Sequence, residues 1–346
     1  MSQRRCTKCG SVFSGDARFC PKDGSPLVDV AVAGTSGTTV RKAYKPPAPD
    51  RFTLSSQRID NRYEVLRRLG EGGMSYVYEA KDLTRGATVA IKILSPKLSA
   101  DQSSVQRLRR EAGLAMRLEH PHVCKIMRLG ETEDGLIYLV MPYLRGELLS
   151  DREAKVGPMA VGMGVEWLVQ ICSGLQHAHQ MHIIHRDLKP ENVMLVPAGD
   201  GTDKAVVMDF GLAKENRADP SMAKLTATGI ILGTPEFMSP EQIRGKELDA
   251  RSDIYALGVV AFEMFTGKLP FAGRSAQEMM IARLRGKPAT LRQYQPDFPA
   301  PLEATLMRSM AAEPDDRFGT ALEFGRALLQ TADDPGLATK LASLLK

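Results

Sequence analysis

Residues 185–192 bring together side chains that are well suited to chemistry. They read His-Arg-Asp-Leu-Lys-Pro-Glu-Asn and follow a helix-like run over residues 163–179. A carboxylate (Asp187), an ammonium group (Lys189) and an amide (Asn192) therefore lie within six residues. Such groups can accept a proton or contact a charged ligand, whereas the alternative interpretation is an exposed polar turn between two strands.

A glycine-rich turn upstream joins two strand-like runs. Residues 63–69 lead into Gly70-Glu-Gly72-Gly73-Met-Ser75-Tyr-Val77. Residues without a Cβ let backbone N–H groups approach phosphates closely, so this hairpin is suited to covering a nucleotide. Taken alone, the motif is also typical of an ordinary hairpin.

Two charged residues close apolar, strand-like runs. Lys92 ends Val-Ala-Ile-Lys, and Asp209 follows Ala-Val-Val-Met. A lysine at the end of an apolar strand needs an anionic partner, because burying it unpaired is costly. Residues 103–118 have the pattern of a helix, and this helix carries Glu111, which is available to pair. Glu119 is the alternative, although it precedes His-Pro and should lie at the helix end.

Jointly, these motifs resemble those of eukaryotic-like Ser/Thr protein kinases over about residues 60–331. The spacing H-R-D-x-K-x-x-N resembles the catalytic loop, and Lys189 resembles its Ser/Thr version. Asp209-Phe-Gly resembles the metal-binding motif, and Gly-Glu-Gly-Gly-Met-Ser is similar to the bacterial branch. Two positions depart from the family pattern, because Ser75 replaces the third glycine and Ser239 replaces the usual alanine before Pro-Glu.

The resemblance implies transfer of the ATP γ-phosphoryl group to Ser or Thr hydroxyls of proteins, with Mg²⁺ or Mn²⁺ as cofactor. Asp187 would deprotonate the acceptor, Lys189 would offset charge, Asn192 and Asp209 would hold the metal, and Lys92 would pair with Glu111. Pro142 would offer a carbonyl to adenine and Leu144 an amide. The nucleotide-binding residues implied are Leu69, Gly70, Gly72, Gly73, Val77, Ala90, Lys92, Met141, Pro142, Leu144, Met194, Asn192 and Asp209. A nucleotide-binding pseudokinase scaffold is the alternative.

Control of such an enzyme would centre on residues 209–241, the activation segment. Thr226 and Thr228 are the candidate autophosphorylation sites, and Arg186 would receive the phosphate. Thr234 would hydrogen-bond Asp187 and Lys189. The resemblance further implies that Asp253 braces the catalytic loop and that Arg317 pairs with Glu241.

The predicted fold is α+β, a two-lobed kinase fold preceded by a small zinc ribbon. We expect the ribbon over residues 1–27, a flexible linker over 28–59, the kinase domain over 60–331 and a helical extension over 332–346. Within the kinase domain, the β-rich lobe would cover residues 60–141, the hinge 142–146 and the helical lobe 147–331.

Four residues near the amino end resemble a zinc-ribbon ligand set: Cys6, Cys9, Cys20 and Asp23. Carboxylate oxygen is an acceptable Zn²⁺ ligand, so a site is predicted here. A ribbon that has lost its metal, three free thiols and a disulfide are the alternatives. Cys124 and Cys172 lie in apolar surroundings typical of core residues in a reducing compartment.

Composition and charge argue against a membrane-spanning protein and against a nucleic-acid binder. With 346 residues, 43% of them hydrophobic, the chain can bury large cores, and no apolar run is long enough for a membrane span. The net charge of +5 resides in residues 1–60, without the aromatic interleaving expected of a nucleic-acid binder. We therefore expect a cytoplasmic enzyme with protein substrates and no nucleic-acid partner, and the family resemblance adds a homodimer through the small lobe.

Overall fold

Two units make up the chain, Met1–Phe52 and Thr53–Lys346. The computed structural model describes residues 3–6, 12–14, 27–29, 58–72, 75–95, 99, 102–210, 235–271, 273, 275–332 and 334–345.

In the first unit, the described residues form a three-stranded antiparallel sheet in the order β2-β1-β3. The strands are β1 (Gln3–Cys6), β2 (Val12–Ser14) and β3 (Leu27–Asp29). Cys6 is the last residue of β1. The other predicted zinc ligands, Cys9, Cys20 and Asp23, lie outside the described residues, so the metal site stays a prediction.

The second unit begins with the small lobe (residues 58–142), a six-stranded antiparallel sheet in the order β4-β5-β6-β7-β9-β8. Its strands alternate buried and less buried residues, the pattern of a sheet that covers a core on one face. Helix α1 packs against the sheet near β8 and buries Leu108 and Ala112. The elements are β4 (Arg58–Ile59), β5 (Tyr63–Gly72), β6 (Ser75–Asp82), β7 (Thr88–Leu94), α1 (Gln102–Ala115), β8 (Arg128–Glu131) and β9 (Ile137–Pro142).

The large lobe (residues 147–345) is mostly helical. A second small antiparallel sheet, in the order β10-β11-β12, lies at its start; β11 begins directly after Asn192, and β12 ends two residues before Asp209. The elements are β10 (Glu147–Leu148), α2 (Leu149–Val156), α3 (Val161–Gln180), β11 (Val193–Pro197), β12 (Asp203–Val207), α4 (Pro240–Ile243), α5 (Ala250–Thr266), α6 (Ala276–Leu284), α7 (Ala300–Ser309), α8 (Ala321–Thr331) and α9 (Pro335–Leu341). The predicted division into a β-rich and a helical lobe is confirmed.

Helix α5 is the central element of the large lobe. It is buried on nearly every face, as expected of the largely apolar run that follows Asp253. Gly258 permits close packing against α7, since a Cβ there would approach Ser309 Oγ to 2.1 Å. Among the helices in the described ranges, α5 included, we find none that is long and apolar enough to cross a membrane.

The carboxyl end of the chain packs against the large lobe. Helix α9 begins at a capping Asp334 and continues into a 3₁₀ turn over Ala342–Leu345. Leu337, Leu341 and Leu345 are buried in the main core, and Ser173 Oγ donates to the Leu344 carbonyl at 2.9 Å. The described residues from Pro335 to Leu345 are therefore helical, with a tighter last turn.

A buried ion pair fixes α4. Arg317 donates two hydrogen bonds to Glu241, both of 2.8 Å, and Ser252 Oγ donates a third at 2.6 Å. Burial alone would raise the pKa of Glu241, but the hydrogen bonds from Arg317 and Ser252 outweigh it and lower the pKa to about 2. The predicted partnership of Glu241 and Arg317 is thus made.

This depressed pKa predicts a pH-dependent stability. The pair stabilises the fold fully above the ordinary carboxyl pKa of 4.5, and this stabilisation is lost as the pH falls towards 2. The loss is about 1.4 kcal/mol per pH unit. Urea unfolding of wild type and Glu241→Gln should therefore differ by a constant free energy above about pH 5 and converge below it. A difference in the free energy of unfolding that is equal at every pH would contradict this prediction. Glu313→Gln is the control, because the Glu313 side chain is 58% exposed.

The buried carboxyl-terminal leucines predict a second stability effect. Leu341→Ala should lower the free energy of unfolding by roughly 2–5 kcal/mol, because it leaves a cavity in the core. Met163→Ala on α3 should change it by less than about 0.5 kcal/mol, since Met163 is 46% exposed. Equal denaturation midpoints for Leu341→Ala and wild type would show that α9 is not part of the stable core.

Candidate active site

The loop over residues 185–192 is held from below by Asp253 on α5. Its Oδ2 accepts the backbone N–H of His185 at 2.8 Å, and its Oδ1 accepts that of Arg186 at 2.9 Å. His179 Nε2, at the end of α3, lies 2.8 Å from Oδ2. Burial alone would raise the pKa of Asp253, but the His179 hydrogen bond and its charge outweigh burial and hold the pKa below its usual value.

Two residues of the site adopt a left-handed backbone. Arg186 has φ +67° and Asp209 has φ +60°. For residues other than glycine this conformation costs roughly 1–2 kcal/mol, so surrounding contacts must hold it. At Arg186, the bond to Asp253 provides part of this support.

Hydrogen bonds connect the loop to the segment before Asp209. His185 Nε2 lies 2.7 Å from the Met208 carbonyl, and the His185 ring meets Phe210 edge-on with centroids 4.9 Å apart. The Met208 N–H donates to the Asn192 carbonyl at 2.8 Å. The loop and the end of β12 therefore form one hydrogen-bonded assembly.

The charged side chains predicted from the sequence meet at this assembly. Lys92 Nζ, from β7, lies 2.7 Å from Asp209 Oδ2, and Lys189 Nζ lies 3.4 Å from Asp187 Oδ2. Asn192 Nδ2 donates to the Asp187 carbonyl at 2.7 Å. The two lobes thus contribute opposite charges to one site.

In this structure the ion pair of Lys92 is made with a carboxylate other than Glu111, and the predicted pairing with Glu111 stays a prediction. The lysine pairs with Asp209, and Glu111 Oε1 instead lies 3.5 Å from Arg186 Nη1. Glu119, the alternative partner, lies beyond the end of α1, is 71% exposed and pairs with Lys125.

Most of the predicted nucleotide-binding residues lie on neighbouring strands of the small-lobe sheet, and Met194 lies on β11 of the large lobe. Val77 is paired with both Gly70 and Lys92, and Ala90 with Met141, the last but one residue of β9. A Cβ on Gly70 would meet no atom within 4 Å, so open space lies above this part of the hairpin. The remaining members are Leu69 and Gly72 on β5, Pro142 at the end of β9, Leu144 after it and Met194 on β11. Gly73 lies outside the described residues.

The donor set at Asn192 and Asp209 fits a hard divalent cation. The side-chain nitrogen of Asn192 donates a hydrogen bond to the Asp187 carbonyl, so the side-chain oxygen is the atom able to bind a metal. Asp209 supplies a carboxylate, and both are the oxygen ligands that Mg²⁺ requires.

Sequence reasoning missed two residues that support the loop. His179 contacts Asp253, and the half-buried Gln242 on α4 donates from Nε2 to the Arg186 carbonyl at 2.8 Å. For His179, the available signal in the sequence was a histidine at a helix end, six residues before His185. No feature of the sequence pointed to Gln242. Thr226, Thr228 and Thr234 lie outside the described residues.

Comparisons with known proteins agree with this geometry. Residues 63–324 match the family described as protein kinase domain. The chain is 38% identical over 288 residues to serine/threonine-protein kinase pkn3 of Myxococcus xanthus, covering 82% of this chain and 52% of that protein. It is 38% identical over 281 residues to serine/threonine-protein kinase PrkC of Bacillus subtilis, covering 81% and 42%.

A solved structure shows the same fold. The crystal structure of the Mycobacterium tuberculosis PknI kinase domain matches with a TM-score of 0.63 and 29% identity, covering 80% of this chain and 98% of that one. The present chain spans about half the length, or less, of the two curated relatives named above. Its family match, its fold and its site agree, and the chain belongs to the protein kinase domain family.

Proposed function

We propose that this protein is an ATP-dependent Ser/Thr protein kinase. The observation that carries the proposal is the 2.7 Å ion pair between Lys92 and Asp209, beside the loop that holds Asp187 and Lys189. The opposite charges that a nucleotide and its metal ion require are already assembled there. The curated relatives are named serine/threonine-protein kinases, which supports the same reaction class.

Each charged residue has a part in phosphoryl transfer. Asp187 orients the acceptor hydroxyl and takes its proton, while Lys189 offsets the charge that develops on the transferred group. Lys92 contacts phosphate oxygens. Asn192 and Asp209 would hold Mg²⁺ or Mn²⁺, which supplies charge neutralisation on the phosphates when bound.

The other residues position the nucleotide. The glycine hairpin of β5 and β6 offers backbone N–H groups to phosphates, and the space above Gly70 supports this assignment. Leu69, Val77, Ala90, Met141 and Met194 provide apolar contacts for the base. The Pro142 carbonyl and the Leu144 amide provide its hydrogen-bonding partners.

The position of Arg186 supports the proposal that phosphorylation of the activation segment regulates the enzyme. Its guanidinium lies 3.5 Å from Glu111 in this structure. A phosphate on Thr226 or Thr228 would bind Arg186 more strongly than a carboxylate does, because it carries more charge. Glu111 would then be released towards Lys92, the partner predicted from the sequence.

Three further proposals concern the whole protein. The first unit would bind Zn²⁺ through Cys6, Cys9, Cys20 and Asp23, which zinc analysis of the purified chain tests. Two copies would pair through the small lobe, where Leu66 and Leu83 are 46% and 40% exposed, and sedimentation tests this pairing. The protein would act in the cytoplasm on protein substrates, which fractionation of the source cells tests.

The proposed reaction predicts self-modification that depends on Asp187. Intact mass of the purified chain should increase in phosphate-sized steps after incubation with ATP and Mg²⁺. Asp187→Asn should slow the increase by about 10²–10⁴-fold, because no general base remains. If neither chain gains mass and no added acceptor protein is phosphorylated, the pseudokinase alternative replaces the proposal.

The proposed regulation predicts a defect in an unphosphorylatable segment. Thr226→Ala combined with Thr228→Ala should lower kcat roughly tenfold to a hundredfold, the equivalent of a charge-assisted hydrogen bond of about 1.5–3 kcal/mol. The exposed Thr339→Ala on α9 should leave kcat unchanged.

A double-mutant cycle identifies the phosphate's partner. In an Arg186→Ala background, the two threonine substitutions should have little additional effect on kcat, since the partner is already absent. A full additional loss in that background would show that the phosphate acts elsewhere.

A further inference from the structure

The peptide group between Arg186 and Asp187 is held at both of its edges. Its carbonyl oxygen, on Arg186, accepts a hydrogen bond from Gln242 Nε2 at 2.8 Å. Its N–H, on Asp187, points to His185 Nδ1 at 3.3 Å. Because a peptide group is planar and rigid, two contacts on opposite edges fix the orientation of the whole plane.

This plane determines where the Asp187 side chain starts. The Cα of Asp187 is one corner of the plane, so rotation of the plane about the loop axis redirects the Cβ and the carboxylate. The neighbouring Arg186 is in the left-handed region, with φ +67°, and would relax if its partners were removed. Its N–H is already held by Asp253 at 2.9 Å. Gln242 supplies the corresponding contact on the carbonyl side.

Gln242 lies on a helix that is held rigidly in place. It lies on α4, whose first residues are capped by the fully buried Ser239, with the Gln242 N–H 3.4 Å from Ser239 Oγ. The preceding residue, Glu241, is fixed by the buried bonds to Arg317 and Ser252. The amide of Gln242 therefore has little freedom to follow a moving loop.

We propose that Gln242 is a positioning residue for Asp187. By holding the Arg186–Asp187 peptide plane, it sets the direction of the carboxylate that takes the acceptor proton. It also makes that direction depend on the docking of Ser239-Pro-Glu241, the end of the activation segment. This inference rests on the proposed kinase function.

The contact requires a hydrogen-bond donor. Methionine has similar length and no donor, so Gln242→Met removes the bond while filling the space. A charged glutamate would place negative charge against the carbonyl oxygen, whereas a protonated glutamate could donate to it again. Gln242→Glu should therefore recover activity relative to wild type as the pH is lowered, and Gln242→Met should not.

A matched control exists elsewhere in the large lobe. The half-buried Gln295 also donates from Nε2 to a backbone carbonyl, that of Phe265 at the end of α5. Gln295→Met removes the same kind of bond away from residues 185–192. Any general loss of stability should then appear in both variants.

The test is steady-state transfer of phosphate from ATP to a generic acceptor protein, with thermal unfolding of each variant measured in parallel. Gln242→Met should lower kcat by about tenfold to a hundredfold, as expected of a displaced catalytic group, with KM for ATP within about twofold of wild type. Gln295→Met should retain the wild-type kcat. The ratio of Gln242→Glu to wild-type kcat should rise between about pH 8 and pH 6, where a carboxyl group with a raised pKa begins to take up a proton.

A Gln242→Met kcat within twofold of wild type, or an equal loss in Gln295→Met, would overturn the inference and leave the proposed function intact. A pH-independent ratio for Gln242→Glu would also count against a donor requirement. If the wild-type chain transfers no phosphate to any acceptor, the proposed function fails, and this inference fails with it.

Discussion

The structure depends on one buried carboxylate, that of Asp253. It is 1% exposed, and burial of an unsatisfied charge would be prohibitive. Its two oxygens satisfy the N–H groups of His185 and Arg186 and contact His179, so the acid and the loop stabilise each other. Because the helix that carries Asp253 is buried along nearly its whole length, the loop is attached to a rigid element.

From the loop that Asp253 holds, contacts extend to both lobes. His185 reaches the segment before Asp209, and Asp209 reaches Lys92 in the small lobe. The Lys92–Asp209 pair is partly exposed, so its own contribution to stability is modest. Its importance is chemical, since phosphates and a metal ion would offer each of these charges a stronger partner of opposite sign.

Much of this arrangement could be predicted from the sequence. The glycine turn and the alternating runs around it predict a hairpin, and β5 and β6 pair through Gly72 and Ser75. This hairpin follows from local propensity and periodicity, which are properties of contiguous residues. The family resemblance implied that Asp253 braces the catalytic loop, and its carboxylate accepts the N–H groups of His185 and Arg186.

Contacts between distant segments were harder to predict. Whether Lys92 pairs with Glu111 or Asp209 is decided by the placement of α1 relative to the sheet, which periodicity does not encode. The bond from Gln242 to Arg186 joins segments that only tertiary packing brings together. A single polar residue after Ser-Pro-Glu carries no pattern that would indicate such a bond.

The central claim is that Asp187 and the charges around it transfer phosphate to hydroxyl groups of proteins. Its most direct test is to supply ATP labelled at the γ-phosphate with a generic acceptor protein and identify the labelled amino acids after hydrolysis. The account predicts phosphoserine and phosphothreonine with the wild-type chain and a near absence of both with Asp187→Asn. Label on tyrosine alone, or equal labelling by Asp187→Asn, would contradict it.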